Sequence, residues 1–176
     1  MTEYRRFAHP GGTWFFTVNL AQRRGNTLLV DHIAELRAAF DTVKRRHPFD
    51  IDAVVILPDH LHCIWTLPPG DADYATRWGL IKANFSRRIA REERISASRH
   101  QRGERGLWQR RFWEHLLRDD EDVRRHVDYI HWNPVKHGWV NRVIEWPHSS
   151  FHRYVNAGVY PADWGGGAAL DVMAGE

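Results

Sequence analysis

The chain reads as an α+β domain, a ferredoxin-like antiparallel sheet with helices on one face, all in a single domain. Three observations predict it. The elements alternate in the order β-α-β-β-α-β-α. Two apolar, β-rich runs, Ile51–Leu57 and His60–Leu67, flank Pro58-Asp59, which reads as a tight hairpin turn. The 176 residues are enough for one core of ordinary size.

Taken in order, Thr13–Leu20 follows Gly11-Gly12 and is β-branched and aromatic, the first strand; Gln22–Asn26 is a polar loop. Asp31 is expected to cap the first helix, with Ile33, Leu36, Phe40 and Val43 at helical spacing and a stop near Arg46, because His47 precedes Pro48. In the hairpin that follows, side chains alternate in direction. His60 and His62 therefore share one face, while Leu61, Cys63, Trp65 and Leu67 point the other way, into a core. Asp73 caps a second helix, with Trp78, Ile81, Phe85 and Ile89 on its apolar side and Arg87, Arg88, Arg91 and Arg94 crowding its second half. Ser96–Gly106 is expected to be a mobile basic loop, followed by a strand at Trp113–Leu117. Four successive carboxylates, Asp119 to Asp122, suit the positive end of a third helix, which Pro134 is expected to end just after Asn133.

Composition narrows the function classes. No apolar run is long enough to span a membrane. A single cysteine, Cys63, excludes an internal disulfide and a cysteine-based zinc site, and a reducing, cytoplasmic setting is expected. The net charge of +3 hides an asymmetry: Arg77 to Arg111 holds eleven Lys/Arg against Glu92, Glu93 and Glu104. Arginine is the better phosphate fork, and aromatics interleave the stretch, so a nucleic-acid partner is expected there.

Two imidazoles side by side on a strand are a ready pair of metal ligands, although an isolated His-x-His is more often two solvated side chains on an edge strand. On the third helix Val123, Val127 and Ile130 form the core stripe. Tyr129 and Asn133 are four apart on a neighbouring face, with His126 three residues before Tyr129. A hydroxyl and an amide are thus presented together.

These residues carry a family resemblance. His60-Leu61-His62 after Pro58-Asp59, with Tyr129-Ile-His-Trp-Asn133-Pro-Val-Lys-His-Gly138, is similar to the HUH one-tyrosine transposases, and within them resembles the REP-associated branch. Supporting matches are Tyr4-Arg-Arg, Gly11-Gly-Thr-Trp-Phe-Phe-Thr-Val-Asn19, Gln22-Arg-Arg, Leu107-Trp-Gln-Arg-Arg-Phe-Trp113 and Trp146-Pro-His-Ser-Ser150, in family order from about residue 4 to 154. Two positions depart: Asp59 stands where such proteins often carry Asn, and Asn133 where the insertion-sequence relatives usually carry Gln.

The resemblance implies cleavage and rejoining of single-stranded DNA beside a hairpin of REP type. Tyr129 would be the nucleophile, forming a 5′-phosphotyrosine. A divalent cation, Mg²⁺ or Mn²⁺, would be held by His60, His62 and Asn133, with His126 the rival third ligand. Arg87, Arg88, Arg91, Arg110 and Arg111 are the expected phosphate contacts, and Trp108 an expected base-stacking surface. The catalytic domain is placed at 1–155 and a partly disordered tail at 156–176. The protein is expected at the nucleoid as a monomer or homodimer, with no small-molecule cofactor. The rival readings are a rolling-circle initiator or relaxase, a non-catalytic DNA-binding regulator of transposase descent, and a metal-dependent hydrolase that uses water.

Overall fold

A computed structural model of the chain describes residues 8–93 and 95–165. Tyr4-Arg-Arg, Arg94 and the end of the tail lie outside them. Four strands, β1 (Thr13–Asn19), β2 (Asp50–Ile56), β3 (His60–Thr66) and β4 (Trp113–Leu116), form one sheet in the order β2-β3-β1-β4 with every neighbouring pair antiparallel. This is the ferredoxin-like order, with β3 and β1 central.

The sheet is covered on both faces, not one. Helices α2 (Ile33–Arg46) and α3 (Tyr74–Arg88) lie together on one side, over Trp14, Phe16, Leu61, Cys63 and Trp65. Trp65 stacks on Trp78 at 4.2 Å between ring centroids, and Phe49 sits 4.2 Å from Trp65 on its other side. Truncating one such ring costs about 3–5 kcal/mol. Helix α5 (Asp120–Lys136) covers the opposite face, packing Val127, Tyr129 and Ile130 on Phe15, Ala53, Val55 and Ile64. Because both faces are dry, β3 is buried at six of its seven positions.

An irregular register between Ile51 and Ala53 lets β2 serve both layers. Ile51 packs into the α2/α3 core, whereas Ala53 and Val55 belong to the α5 core. The extra residue, Asp52, is the bulge that inverts the alternation. Its carboxylate accepts a hydrogen bond from Thr66 at 2.7 Å and its carbonyl one from Tyr154 at 2.8 Å.

Several local expectations are corrected. Asp31 does not cap the long helix: it ends a preceding turn, α1 (Leu28–Asp31), and His32 occupies the cap. The run Leu28-Leu29-Val30 starts helix earlier than Asp31 suggests, and the Asp31 carboxylate accepts from the Thr27 hydroxyl instead. Asp73 does cap α3, accepting from the Thr76 N–H at 2.9 Å, but α3 ends at Arg88, so Arg91 follows the helix. The basic loop contains a short helix, α4 (Ala97–Gln101). Pro134 does not stop α5. It sits in the last turn, and the helix ends two residues on, where Gly138 adopts φ 71° and Gly138 and Trp139 donate to the Val135 and Pro134 carbonyls.

Beyond α5 the chain folds back along β2. Trp146 is buried and donates from its indole to the Ile56 carbonyl at 3.0 Å. Helix α6 (Phe151–Asn156) follows, and the rings of Tyr160 and Trp164 pack on Phe151. Residues 166–176, most of the expected tail, lie outside the described residues. Among the described residues no helix is long and apolar enough to cross a membrane.

Candidate active site

The two histidines sit on a central strand, so their backbones are fixed from both sides: His60 pairs with Asn19 and His62 with Thr17 across β1. Both rings are buried. Their outer nitrogens are already committed. His60 Nδ1 lies 2.6 Å from an Asp59 carboxylate oxygen, which can only accept, so Nδ1 carries the proton. The 3.1 Å approach of Arg23 Nη2 to that same nitrogen is then a close contact; Arg23 makes its hydrogen bond through Nε to the other Asp59 oxygen at 2.7 Å. His62 Nδ1 pairs with the Thr17 hydroxyl at 2.9 Å. With Nδ1 protonated, His60 keeps its Nε2 lone pair for a ligand, and His62 Nε2 is buried with no partner.

Charge follows from burial. Desolvation, reinforced by His60 and His137, holds His62 well below the usual histidine range, so it stays neutral. At Asp59 burial acts upwards, but the hydrogen bonds from His60 and Arg23 outweigh it and hold the carboxyl at about 2. The acidic residue at this position therefore orients His60 and fixes its tautomer.

Helix α5 supplies the rest. Asp119 caps it through the Asp122 N–H at 2.8 Å, and three acidic residues occupy its first turn. The Tyr129 ring lies 5.3 Å from the His62 ring, and the His137 ring 5.2 Å from the His60 ring. Asn133 is one turn from each, at the midpoint of that stripe. It is fully buried, and neither its amide oxygen nor its nitrogen has a partner. Two lone imidazole nitrogens and one lone amide oxygen suit a divalent cation with mixed N/O ligation. Lys136 completes the surroundings of Tyr129, its Nζ 3.3 Å from the hydroxyl and 4.7 Å from the ring centroid. His60, His62, Tyr129, Lys136 and His137 line an open cleft of about 300 Å³, whereas Asn133, fully buried, is not on its wall.

Sequence reasoning missed Lys136 and His137 because Pro134 was taken as the helix end. Their positions, seven and eight residues after Tyr129, are the signal that would have placed them on its face. It also missed Asn19, whose buried Oδ1 has no partner, and Trp113, nearly half exposed at the cleft.

His126 goes elsewhere. It does not line the cleft; Phe15 lies between, 5.6 Å from the His62 ring and 4.8 Å from that of His126. His126 instead meets His115 and Asp122.

The basic segment forms a second groove, of about 670 Å³, with Arg87, Arg91 and Arg110 on its walls. Arg110 is paired with Glu104, and Arg88 reaches across to the Thr42 hydroxyl. Arg111 is exposed but does not line the groove. Trp108 is not an open stacking surface: it is 8% exposed, packed edge-on against Phe85 at 5.5 Å, and forms the groove floor.

A histidine pair on a central strand, faced by a tyrosine and an amide one helical turn apart, defines the class: a tyrosine-nucleophile transposase. Residues 14–133 match the family of IS200-like transposases, and the chain belongs to it. An Escherichia coli REP-associated tyrosine transposase is 52% identical over 176 residues, covering all of this chain and 98% of that one. A Haemophilus influenzae relative is 47% identical over 173 residues, 98% of each chain. A solved REP-associated tyrosine transposase bound to a REP hairpin superposes with a TM-score of 0.83 at 52% identity, over 100% of this chain and 98% of the other. Within the family, the chain therefore groups with the REP-associated tyrosine transposases.

Proposed function

We propose that this transposase cleaves and rejoins single-stranded DNA beside a REP-type hairpin, through a covalent bond between Tyr129 and a 5′ phosphate. One observation carries the reading: the α5 stripe Tyr129, Asn133 and His137 lies over His62 and His60, and the His62 Nε2 and Asn133 Oδ1 in it are buried without partners. His60, His62 and Asn133 would hold Mg²⁺ or Mn²⁺, which when bound neutralises a non-bridging phosphate oxygen and orients the phosphate.

In the forward step the Tyr129 oxygen bonds to phosphorus and the bond from phosphorus to the 3′ oxygen breaks. The phenolic proton passes to solvent, and the freed 3′ oxygen takes one up. The Lys136 ammonium beside the Tyr129 hydroxyl offsets negative charge on that oxygen. In the reverse step a DNA 3′-hydroxyl attacks the phosphotyrosine, Tyr129 leaves, and the strands are joined with no external energy source. Trp113, exposed at the cleft, is the side chain placed to stack on a base next to the scissile phosphate. The Arg87/Arg91 groove would take the hairpin backbone.

The test is incubation with end-labelled hairpin DNA and Mg²⁺ or Mn²⁺, followed by denaturing electrophoresis. A covalent protein–DNA adduct is expected from the wild type and none from Tyr129→Phe or after chelation. Cleavage that persists in Tyr129→Phe would mean that water, not tyrosine, is the nucleophile. Binding without any cleavage would favour the regulator.

A further inference from the structure

The geometry points to a second metal site, separate from the catalytic cleft, in which His115, Asp122 and His126 bind one transition-metal ion of the zinc class. Each offers one ligand atom, and the three atoms lie within 4.8 Å of one another. Asp122 and His126 are four apart on α5 and share a face, a spacing that lets two side chains of a helix reach one ion. His115 comes to them from β4, its Nε2 donating to one Asp122 oxygen at 3.1 Å, a proton that a bound ion would displace. The ring planes of His115 and His126 lie within 20° of parallel, 5.1 Å apart.

The surroundings are those of a ligand set. His126 Nδ1 donates to the Asp122 carbonyl at 2.8 Å, which fixes the tautomer and leaves Nε2 a free lone pair. His126 is buried. Asp122 is itself largely buried; besides His115, its carboxylate meets His126 Nδ1 at 3.2 Å and accepts from the Arg118 N–H at 3.3 Å, while Arg125 stands off at 3.8 Å on an exposed side chain. His115 is a third exposed, which leaves a route for an ion and a position for water. Two imidazoles and one carboxylate with an open position are a borderline donor set, suited to Zn²⁺ or Co²⁺ rather than Mg²⁺. Ligand distances of about 2.0–2.2 Å require the three atoms to draw together by roughly an ångström, within reach of side-chain rotation. The bound ion would join β4 to the first turns of α5, one turn before Tyr129. The site does not depend on the proposed DNA chemistry.

The experiment is a titration of the metal-free full-length protein with Co²⁺, read by visible d–d absorption and by calorimetry. Wild type, His115→Ala and His60→Ala/His62→Ala are compared. His115→Ala is expected to bind one equivalent fewer than wild type, and the histidine-pair variant to keep the His115-dependent equivalent. Zn²⁺ should raise the melting temperature of wild type more than that of His115→Ala. Equal Co²⁺ stoichiometry in wild type and His115→Ala overturns the proposal. If circular dichroism shows His115→Ala misfolded, His115→Gln takes its place under the same criterion.

Discussion

Acid should loosen the helix that carries Tyr129, through His131. This residue lies two positions after Tyr129 on the other side of α5, fully buried, with Nε2 2.9 Å from the Ser150 hydroxyl and the rings of Phe151, Tyr154 and Tyr160 around it. Burial, and then the charge of Arg153, lower its pKa from 6.5 to about 3. The folded state thus holds a neutral imidazole where the unfolded chain takes up a proton below about 6.5. Below that pH the unfolded state binds more protons. The contribution of His131 is therefore complete above about 6.5 and is lost as pH falls towards about 3. At about 1.4 kcal/mol per pH unit, the loss is about 2 kcal/mol at pH 5 and about 5 kcal/mol when the 3.5-unit interval is spent. The assay is urea unfolding followed by tryptophan fluorescence at pH 7.5 and 5.0, in wild type and His131→Gln. Other histidines with lowered values, His62, His126, His137 and His148, are common to both proteins, so the difference between the two isolates His131. Wild type should lose about 2 kcal/mol more than the variant. An equal loss in both would refute the reasoning.

Three further outcomes are expected. Lys136→Met, which removes the cation beside the Tyr129 hydroxyl, should slow adduct formation by about 10²-fold in single-turnover assays while hairpin binding stays within a few-fold. Asp59→Ala, which frees His60 Nδ1, should weaken Mn²⁺ binding by about 10–100-fold in calorimetry with the fold intact by circular dichroism. Arg87→Ala and Arg91→Ala should each reduce the salt dependence of hairpin binding, measured by fluorescence anisotropy, by about 0.9 in the log–log slope; an unchanged slope would remove the groove from the DNA path.

Strand and hairpin signals carried much of the fold. Alternation in His60–Leu67 placed the two histidines on one face and the core residues on the other, as the structure has them. The second helical layer was missed, although a sign of it was present: Val54-Val55-Ile56 is a continuous apolar run, the pattern of a strand dry on both sides. An amphipathic helix announces that it has a buried face but not which side of a sheet receives it. Tyr129 and Asn133 were legible because a four-residue spacing is a statement about one face. His126 satisfied the same local rule, yet Phe15 intervenes, and that is a fact of tertiary packing. Trp108 looked like a nucleic-acid aromatic by its basic neighbours, while Phe85 claims its ring.

Pro134 within the last turn of α5 divides the site mechanically. Proline has no N–H to donate to the carbonyl one turn back, so the Ile130 carbonyl, in the turn that carries Asn133, lacks its helical rung. Tyr129 stands on the helix before that gap and Asn133 within it. Lys136 and His137 stand beyond the gap, held by the His137, Gly138 and Trp139 N–H groups, which donate to the Asn133, Val135 and Pro134 carbonyls. Amide exchange should register the difference as earlier opening after residue 134 than before it. Such a division would let the cation and the flanking imidazole follow the phosphate as charge moves between two oxygens, with the nucleophile itself held still.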